Sequence, residues 1–501
     1  MLLALLSVAF AAPQQASDPK KPEDSPAAAT DQPTASFKSR SDLVLLPVVV
    51  RDNKGHYVTG LSQDAFRLEE NGKLQPITYF EAIQSPVPVA PIQVEDHVYS
   101  NLPFDKGTHG QLTIIVLDLL NTSPLQRTDG KDRLVRFLSK SLAPNQEVAL
   151  VCLTSKGLKM VQPPSSDAKV LAQSLNQTPS GPETIIGHWN SADLTIRELR
   201  DVARAYAGVP GRKTLLFAAG YIPELATERA INDSSPLAME LRALWQSLID
   251  ANISVYPFQI MAWSADPSSR GFARRTTDLL LRQFAVATGG NLCEESNGLS
   301  NCLAEAVEDS RSYYTLGFIV QPGDRKPGWR DLKVKVSAEH VDVRSRDGFY
   351  YGVLAPADSK SARDQEISAL ASALPYSAVP MSVKVLPPAA SAQASTSANK
   401  TTVEFLLTIP ASSISVDPSQ PDPLDLDVGA IALTTDNREA AEFLHPVRGN
   451  PSQEVHKTWA RDGIRLREKL DLTPGSYEIR FFARDNNTSQ IGTVAFPLTV
   501  P

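Results

Sequence analysis

The sequence has little of what builds metal clusters, membrane spans or nucleic-acid-binding surfaces. Its 501 residues include only three cysteines and seven histidines, and no histidine has a partner at the spacing of metal ligands. After the N-terminus, no stretch reaches the roughly 20 apolar residues that a membrane-spanning helix needs. The net charge is −7, with no long basic run. We therefore expect no membrane span and no nucleic-acid partner.

Catalytic signatures are missing as well. The chain contains no Gly-x-Ser-x-Gly elbow, no P-loop, no His-Glu-x-x-His and no Gly-x-Gly-x-x-Gly. We therefore expect a protein that is not an enzyme, with a hydrolase carrying an unrecognised site as an alternative.

The N-terminus, in contrast, has a distinctive composition. Residues 1–10 are apolar, and Ala9, Phe10 and Ala11 resemble a small-residue cleavage site, although the usual positive charge is missing. This pattern predicts a signal peptide over residues 1–12. Residues 13–41 are rich in Pro, Ala, Ser, Asp and Gln, which predicts a disordered linker. The expected location is periplasmic or secreted.

The cysteines agree with an oxidising compartment. Cys293 and Cys302 lie close together in a Gly-, Asn- and Ser-rich segment with no histidine nearby. That favours a disulfide over a zinc site. Cys152 lies in an apolar strand pattern, which predicts a buried thiol.

Hydrophobic periodicity divides the remaining chain into several units. A period of two with turn residues predicts short strands, whereas apolar runs separated by helical patterns predict a doubly wound, mostly parallel α/β sheet. We expect the β units at 42–83 and 311–355 to pack together as one split β domain, with the α/β domain at 111–310 inserted between them. The C-terminal strands predict an immunoglobulin-like β-sandwich. The predicted units are a β unit at 42–83, an α/β domain at 111–310, a β unit at 311–355, a linker at 356–379 and the sandwich at 380–501.

Two of the α/β strands suggest a site. The apolar runs at 112–117 and 213–219 each end at a loop, and in a doubly wound sheet these strands are neighbours where the strand order reverses. Ligands bind in the crevice outside the carboxyl ends of such strands. Asp118, Asn121 and Thr122 should therefore face Ala219.

The segments LPVVVRDNKGHYVTGLSQDAFRLEENGKLQPI, TIIVLDLLNT, GRKTLLFAAGY and SYYTLGF, in this order, resemble the von Willebrand factor type A domain family. The likeness is narrower to exported bacterial type-A-related proteins, and it covers about residues 42–355. It implies a Mg²⁺ site built from Asp-x-Ser-x-Ser after the first strand, a loop Thr and a second Asp. The open position of the cation takes an acidic residue of a partner.

This chain departs from that family pattern. Asp118 matches the first acid and Thr122 replaces the second Ser, but Leu120 stands in place of the first Ser and Ala219 in place of the second Asp. Thr184 is the candidate loop Thr. The loss of one carboxylate argues against a bound Mg²⁺, so we expect no cofactor.

The expected function is therefore non-catalytic protein binding or adhesion at the cell envelope, through a degenerate metal-dependent adhesion site and with an unidentified protein partner. In a purely structural alternative, the polar side chains of the loop at 118–122 only form hydrogen bonds to the backbone of that loop. A Mg²⁺-dependent adhesion module that uses Asp118, Thr122 and Thr184 is the functional alternative.

Overall fold

A computed structural model describes residues 43–84, 97–101, 112–142, 146–178, 188–220, 236–260, 267–294, 299–321, 326–351, 359–387 and 400–501. The predicted signal peptide, the predicted linker at 13–41 and Thr184 lie outside the described residues.

The strands of the described residues form five sheets. They are β1 (Leu43–Asp52), β2 (Phe66–Glu70), β3 (Lys73–Gln75), β4 (Tyr79–Gln84), β5 (Val98–Ser100), β6 (Leu112–Asp118), β7 (Glu147–Thr154), β8 (Gly157–Ser165), β9 (Lys213–Ala219), β10 (Ile253–Gln259), β11 (Ser312–Ile319), β12 (Gly328–Val336), β13 (Val341–Arg344), β14 (Gly348–Tyr351), β15 (Ser382–Val385), β16 (Thr401–Ile409), β17 (Leu424–Thr434), β18 (Glu439–Gly449), β19 (Ile464–Leu472), β20 (Gly475–Asp485) and β21 (Gln490–Val500).

The helices separate the central strands and join the later ones. They are α1 (Pro124–Ser141), α2 (Ala168–Asn176), α3 (His188–Ala205), α4 (Pro236–Asp250), α5 (Pro267–Thr288), α6 (Leu299–Asp309), α7 (Ser359–Ala371) and α8 (Gln453–Asp462). None of these helices combines the length and the apolar character needed to cross a lipid bilayer.

The central sheet has the strand order β10-β9-β6-β7-β8. Its first four strands are parallel, and β8 pairs antiparallel with β7 at the edge. Every residue of β6 and β9 is buried, because helices cover both faces of the sheet. Residues of α3, α4 and α5 share a core with one face, and residues of α1, α2 and α6 share a core with the other. The predicted mixed α/β sheet is therefore observed.

The strands on either side of the central sheet in sequence pair with one another. β1 pairs with β11 and β2 pairs with β12, within two four-stranded sheets of order β13-β1-β11-β4 and β14-β12-β2-β3. Buried side chains of both sheets form one core that includes Val48, Leu68, Tyr314 and Leu332.

The C-terminal strands form two antiparallel sheets around one further core. Their orders are β19-β16-β15-β5 and β18-β17-β20-β21. The expected boundary at residue 380 is incomplete, because β5 precedes the central sheet in sequence and pairs with β15. Three residues are too short a strand to produce a periodic pattern.

The predicted linker at 356–379 is packed against its neighbours. α7 lies on the sheet of β20, where Glu366 and Arg484 approach to 3.6 Å with both side chains buried. Tyr376 is buried in the core of the central sheet. Next to it, the Ser377 hydroxyl donates to the carbonyl oxygen of Ala205 at 2.6 Å. Side chains from distant elements, rather than local composition, therefore fix this segment.

A buried carboxylate joins the split β strands to the central sheet. Asp309 at the end of α6 is completely buried. Its Oδ1 accepts a hydrogen bond from Arg51 Nε of β1 at 2.8 Å, and its Oδ2 accepts one from the Tyr256 hydroxyl of β10 at 2.7 Å.

Cys293 and Cys302 form a disulfide that links α6 to the segment before it. This helix is therefore held covalently as well as by charge.

Removing the Asp309 carboxylate should destabilise the whole fold. We expect Asp309→Ala to lower the free energy of unfolding by about 3–5 kcal/mol, because the Arg51 guanidinium then remains buried without a counter-charge. Asp129 is the matched control, because it is partly exposed and pairs with Arg133 within α1 at 2.7 Å. Asp129→Ala should cost about 1 kcal/mol or less. Urea unfolding measures both values, and equal losses would contradict this role of Asp309.

Candidate functional site

The ends of β6 and β9 meet at one edge of the central sheet. Leu117 and Ala218 are paired in register, so the loop after Asp118 lies against Ala219 and Gly220. A Cβ atom on Gly220 would lie only 1.9 Å from the carbonyl oxygen of Asn121. This approach requires glycine, because any side chain would push the two loops apart.

Asp118 is the only acidic residue of this loop, and its carboxylate is fully engaged. The side chain is completely buried. Its Oδ1 accepts a hydrogen bond from the backbone N–H of Asn121 at 2.9 Å, and its Oδ2 accepts one from Asn121 Nδ2 at 2.8 Å. Burial raises the pKa of Asp118 to about 6, opposed by the hydrogen bonds from Asn121 and by the charge of Arg127.

The side-chain amide of Asn121 also connects the loop to α3. Its Nδ2 donates a second hydrogen bond to Thr195 Oγ1 at 3.0 Å, and that hydroxyl donates to the carbonyl oxygen of Ser191 at 2.7 Å. Because the carboxylate of Asp118 and the hydroxyl of Thr195 both act as acceptors, the amide nitrogen must face them. One uncharged NH₂ group therefore bridges a strand end and a helix.

The other predicted site residues also lie here, and they offer little to a ligand. Thr122 is buried, and its hydroxyl donates to the Asp118 carbonyl oxygen at 2.5 Å. Leu120 and Ala219 are buried in the apolar core. The structure thus brings Asp118, Leu120, Asn121, Thr122 and Ala219 together.

Thr195 and Ser191 also belong to the site, and no sequence pattern marks them as site residues. They lie four residues apart in α3, where a buried Thr is an ordinary helix residue bonded to a preceding carbonyl. The loop threonine that the resemblance implies, Thr184, lies outside the described residues.

α1 begins directly after this loop. Ser123 is its N-cap, with reciprocal hydrogen bonds between Ser123 and Gln126. Gln126 Nε2 also donates to the carbonyl oxygen of Ile260 at 2.7 Å, beyond the end of β10. Pro124 and Leu125 follow the cap and are exposed, Leu125 to 64%. We call Ser123, Pro124 and Leu125 the rim.

These residues do not fit a divalent cation. Mg²⁺ requires six oxygen ligands in near-ideal octahedral geometry. The site offers one carboxylate whose two oxygens already accept hydrogen bonds, and the hydroxyls of Thr122 and Thr195, which both donate to backbone carbonyl oxygens. Elsewhere in the described part of the chain, no three His, Cys, Asp or Glu side chains form a group that could hold a metal.

Comparisons with known proteins identify no family. No family model matches the chain, and no curated protein matches it. Among solved structures, an aerotolerance-related membrane protein from Bacteroides fragilis is 13% identical with a TM-score of 0.26, covering 40% of this chain and 99% of that one. The mussel byssus proximal thread matrix protein 1 is 11% identical with a TM-score of 0.25, and the match covers 40% of this chain and 48% of that one. The TFIIH p34 N-terminal domain is 13% identical with a TM-score of 0.24, at 41% and 97% coverage. Scores this low support no conclusion about family or function.

The raised pKa of Asp118 makes one contribution to stability depend on pH. The folded value is about 6 and the ordinary value is 3.8, so the folded chain binds this proton more tightly. The contribution is present below about pH 4 and is lost as the pH rises through about 6, a change on the order of 3 kcal/mol.

Asp118→Asn removes this titration. The wild-type free energy of unfolding minus that of the variant should therefore fall between about pH 4 and pH 7, as urea unfolding at each pH would show. A difference that stays constant, or that grows with pH, would contradict the burial of this carboxylate.

Proposed function

We propose that the chain is a metal-independent protein-binding module of the von Willebrand type A kind, which acts in adhesion at the cell envelope. The bridge from Asn121 to Asp118 and Thr195 is the observation that carries this proposal. It holds the loop in one conformation with an uncharged amide, at the sheet edge where such folds bind their ligands.

The strand order of the central sheet supports the type-A reading. Counted along the chain, the five strands lie in the order 5-4-1-2-3, with an antiparallel edge strand. The order reverses between β6 and β9, which is where the loop and Gly220 meet. The disulfide between Cys293 and Cys302 supports an oxidising compartment such as the periplasm or the exterior.

The rim supplies a surface that suits a protein partner. Leu125 is one of the most exposed large apolar side chains of the described residues. It stands beside a loop whose polar groups are already satisfied, so binding there would cost little ordering of the loop. An apolar anchor surrounded by polar backbone is a common arrangement in protein interfaces.

Among the described residues, no contact favours either alternative function. Mg²⁺-dependent adhesion through Asp118 and Thr122 requires oxygens that are already engaged in hydrogen bonds. A histidine–acid pair in a deep cleft would favour a hydrolase, but the side chain of His56 beside Asp52 is 75% exposed and that of His445 beside Glu468 is 45% exposed.

Adding Mg²⁺ or Mn²⁺ at millimolar concentration should leave the wild-type melting temperature unchanged. A bound cation at 100 times its Kd would add about 2.7 kcal/mol to the free energy of unfolding, which a thermal melt detects easily. Asn121→Asp is the positive control, because it sets a second carboxylate beside Asp118 and a cation relieves their repulsion. A rise in the wild type that Asp118→Ala abolishes would support the Mg²⁺-dependent alternative instead.

Leu125→Asp should weaken partner binding by the full chain. A charged side chain at the rim cannot be desolvated against an apolar pocket, so the loss should be at least tenfold in affinity, about 1.4 kcal/mol. Met239 on α4 is exposed to 55%, and Met239→Asp makes a matched change away from the rim. Affinity capture from an envelope extract, followed by titration of the captured protein, compares the variants. Equal losses, or retention by Leu125→Asp, would remove the rim from the proposal.

A further inference from the structure

One face of the sheet β19-β16-β15-β5 carries a row of positively charged side chains. Arg465, Arg467 and Lys469 alternate along β19 and are all exposed, while Glu468 and Leu470 between and after them are buried. Alternate residues on a strand point to the same face about 6.8 Å apart. The three charges therefore stand in a row on one side of the sheet. We call this surface the basic sheet face.

The neighbouring strands extend this face with hydroxyl groups and another cation. In the register, Arg465 lies opposite Thr408, which lies opposite Ser382. Arg467 in turn lies opposite Leu406, which lies opposite Lys384. With strands about 4.8 Å apart, the cations on β19 and β15 are separated by about 10 Å. Hydroxyl side chains occupy part of the space between them.

The charges of the basic sheet face are only partly neutralised. Lys469 pairs with Glu404 at 2.9 Å, and Arg465 Nε donates to the backbone carbonyl oxygen of Asp462 at 3.2 Å. Within the described residues, Arg467 forms no close ion pair, but its charge acts on Glu404, whose pKa is lowered first by Lys469 and then by Arg467. Because the chain as a whole has a net charge of −7, a cationic surface on it is a local feature and not a consequence of composition.

We propose that the basic sheet face binds a linear anionic polysaccharide. The rows of guanidinium and ammonium groups complement carboxylate or sulfate groups spaced along a sugar chain. The intervening hydroxyl groups of Thr408 and Ser382 offer partners for sugar hydroxyls. The proposal does not depend on the rim or on the site at Asp118.

Two other anionic partners match this face less well. An anionic lipid surface binds a peripheral protein most strongly where apolar side chains also insert, and the described residues of this face present no strongly exposed apolar side chain, since Leu406 is half-buried. A single-stranded nucleic acid would find no aromatic side chain for base stacking among the described residues of this face.

Immobilised heparin is the probe, and the full chain is the analyte. We expect wild-type binding that weakens as salt is raised, because ion pairing drives it. The triple variant Arg465→Ser, Arg467→Ser and Lys469→Ser should bind at least about tenfold more weakly. Unchanged thermal melting shows that the variant is folded, since these three side chains are exposed.

A second triple variant removes the same charge elsewhere. Arg67, Lys333 and Lys335 lie exposed on adjacent strands β2 and β12. Changing all three to Ser should alter heparin binding less than about twofold, because the basic sheet face is intact.

Additional ligands test which kind of polymer the basic sheet face binds. Polygalacturonate should bind like heparin, whereas neutral dextran should not bind. Equal losses in both triple variants would show a non-specific charge effect and overturn the proposal. No wild-type binding to heparin or polygalacturonate, or tighter binding to anionic phospholipid vesicles than to either, would also overturn it.

Discussion

The hydrogen bonds between Asp118 and Asn121 determine what the edge of the central sheet can do. A buried carboxylate is costly unless its oxygens are paired, and here both oxygens accept from the same residue, through its backbone N–H and its side-chain amide. The second bond of that amide, to Thr195, attaches the loop to α3. Neutral donors therefore satisfy both oxygens of the Asp118 carboxylate in this loop.

The rest of the fold keeps this edge in place. Asp309 connects α6 to β1 and β10 through Arg51 and Tyr256, so the strands of the split β domain are fixed to the central sheet. On the other side, Tyr376 and Ser377 fix the C-terminal sandwich against the end of α3. Both junctions bury polar groups with specific partners, which defines the geometry more sharply than apolar packing alone. The rim and the basic sheet face are therefore held on one continuous framework.

Some of this arrangement could be predicted from sequence, and the reasons are local. Uninterrupted apolar runs identified β6 and β9, and chain order placed them side by side with Asp118 and Ala219 at their ends. The contacts missed are those made between distant segments. β5 has three residues and pairs with β15, so no periodic pattern reveals it. The segment at 356–379 was expected to be a linker because its composition says nothing of the burial of Tyr376. Thr195 was overlooked because a threonine within a helix has no distinctive pattern until a loop is folded against it. The immunoglobulin-like character of the C-terminal sheets stays a prediction.

We propose that the side-chain amide of Asn121 satisfies the carboxylate of Asp118 without a bound cation. The most direct measurement is the NMR signal of the Asn121 side-chain amide, in protein labelled with ¹⁵N at asparagine, as Mn²⁺ is added. The account predicts that this resonance keeps its intensity and position, because no paramagnetic ion approaches Asp118. Selective broadening of the Asn121 amide at Mn²⁺ concentrations that leave other asparagine resonances intact would contradict it.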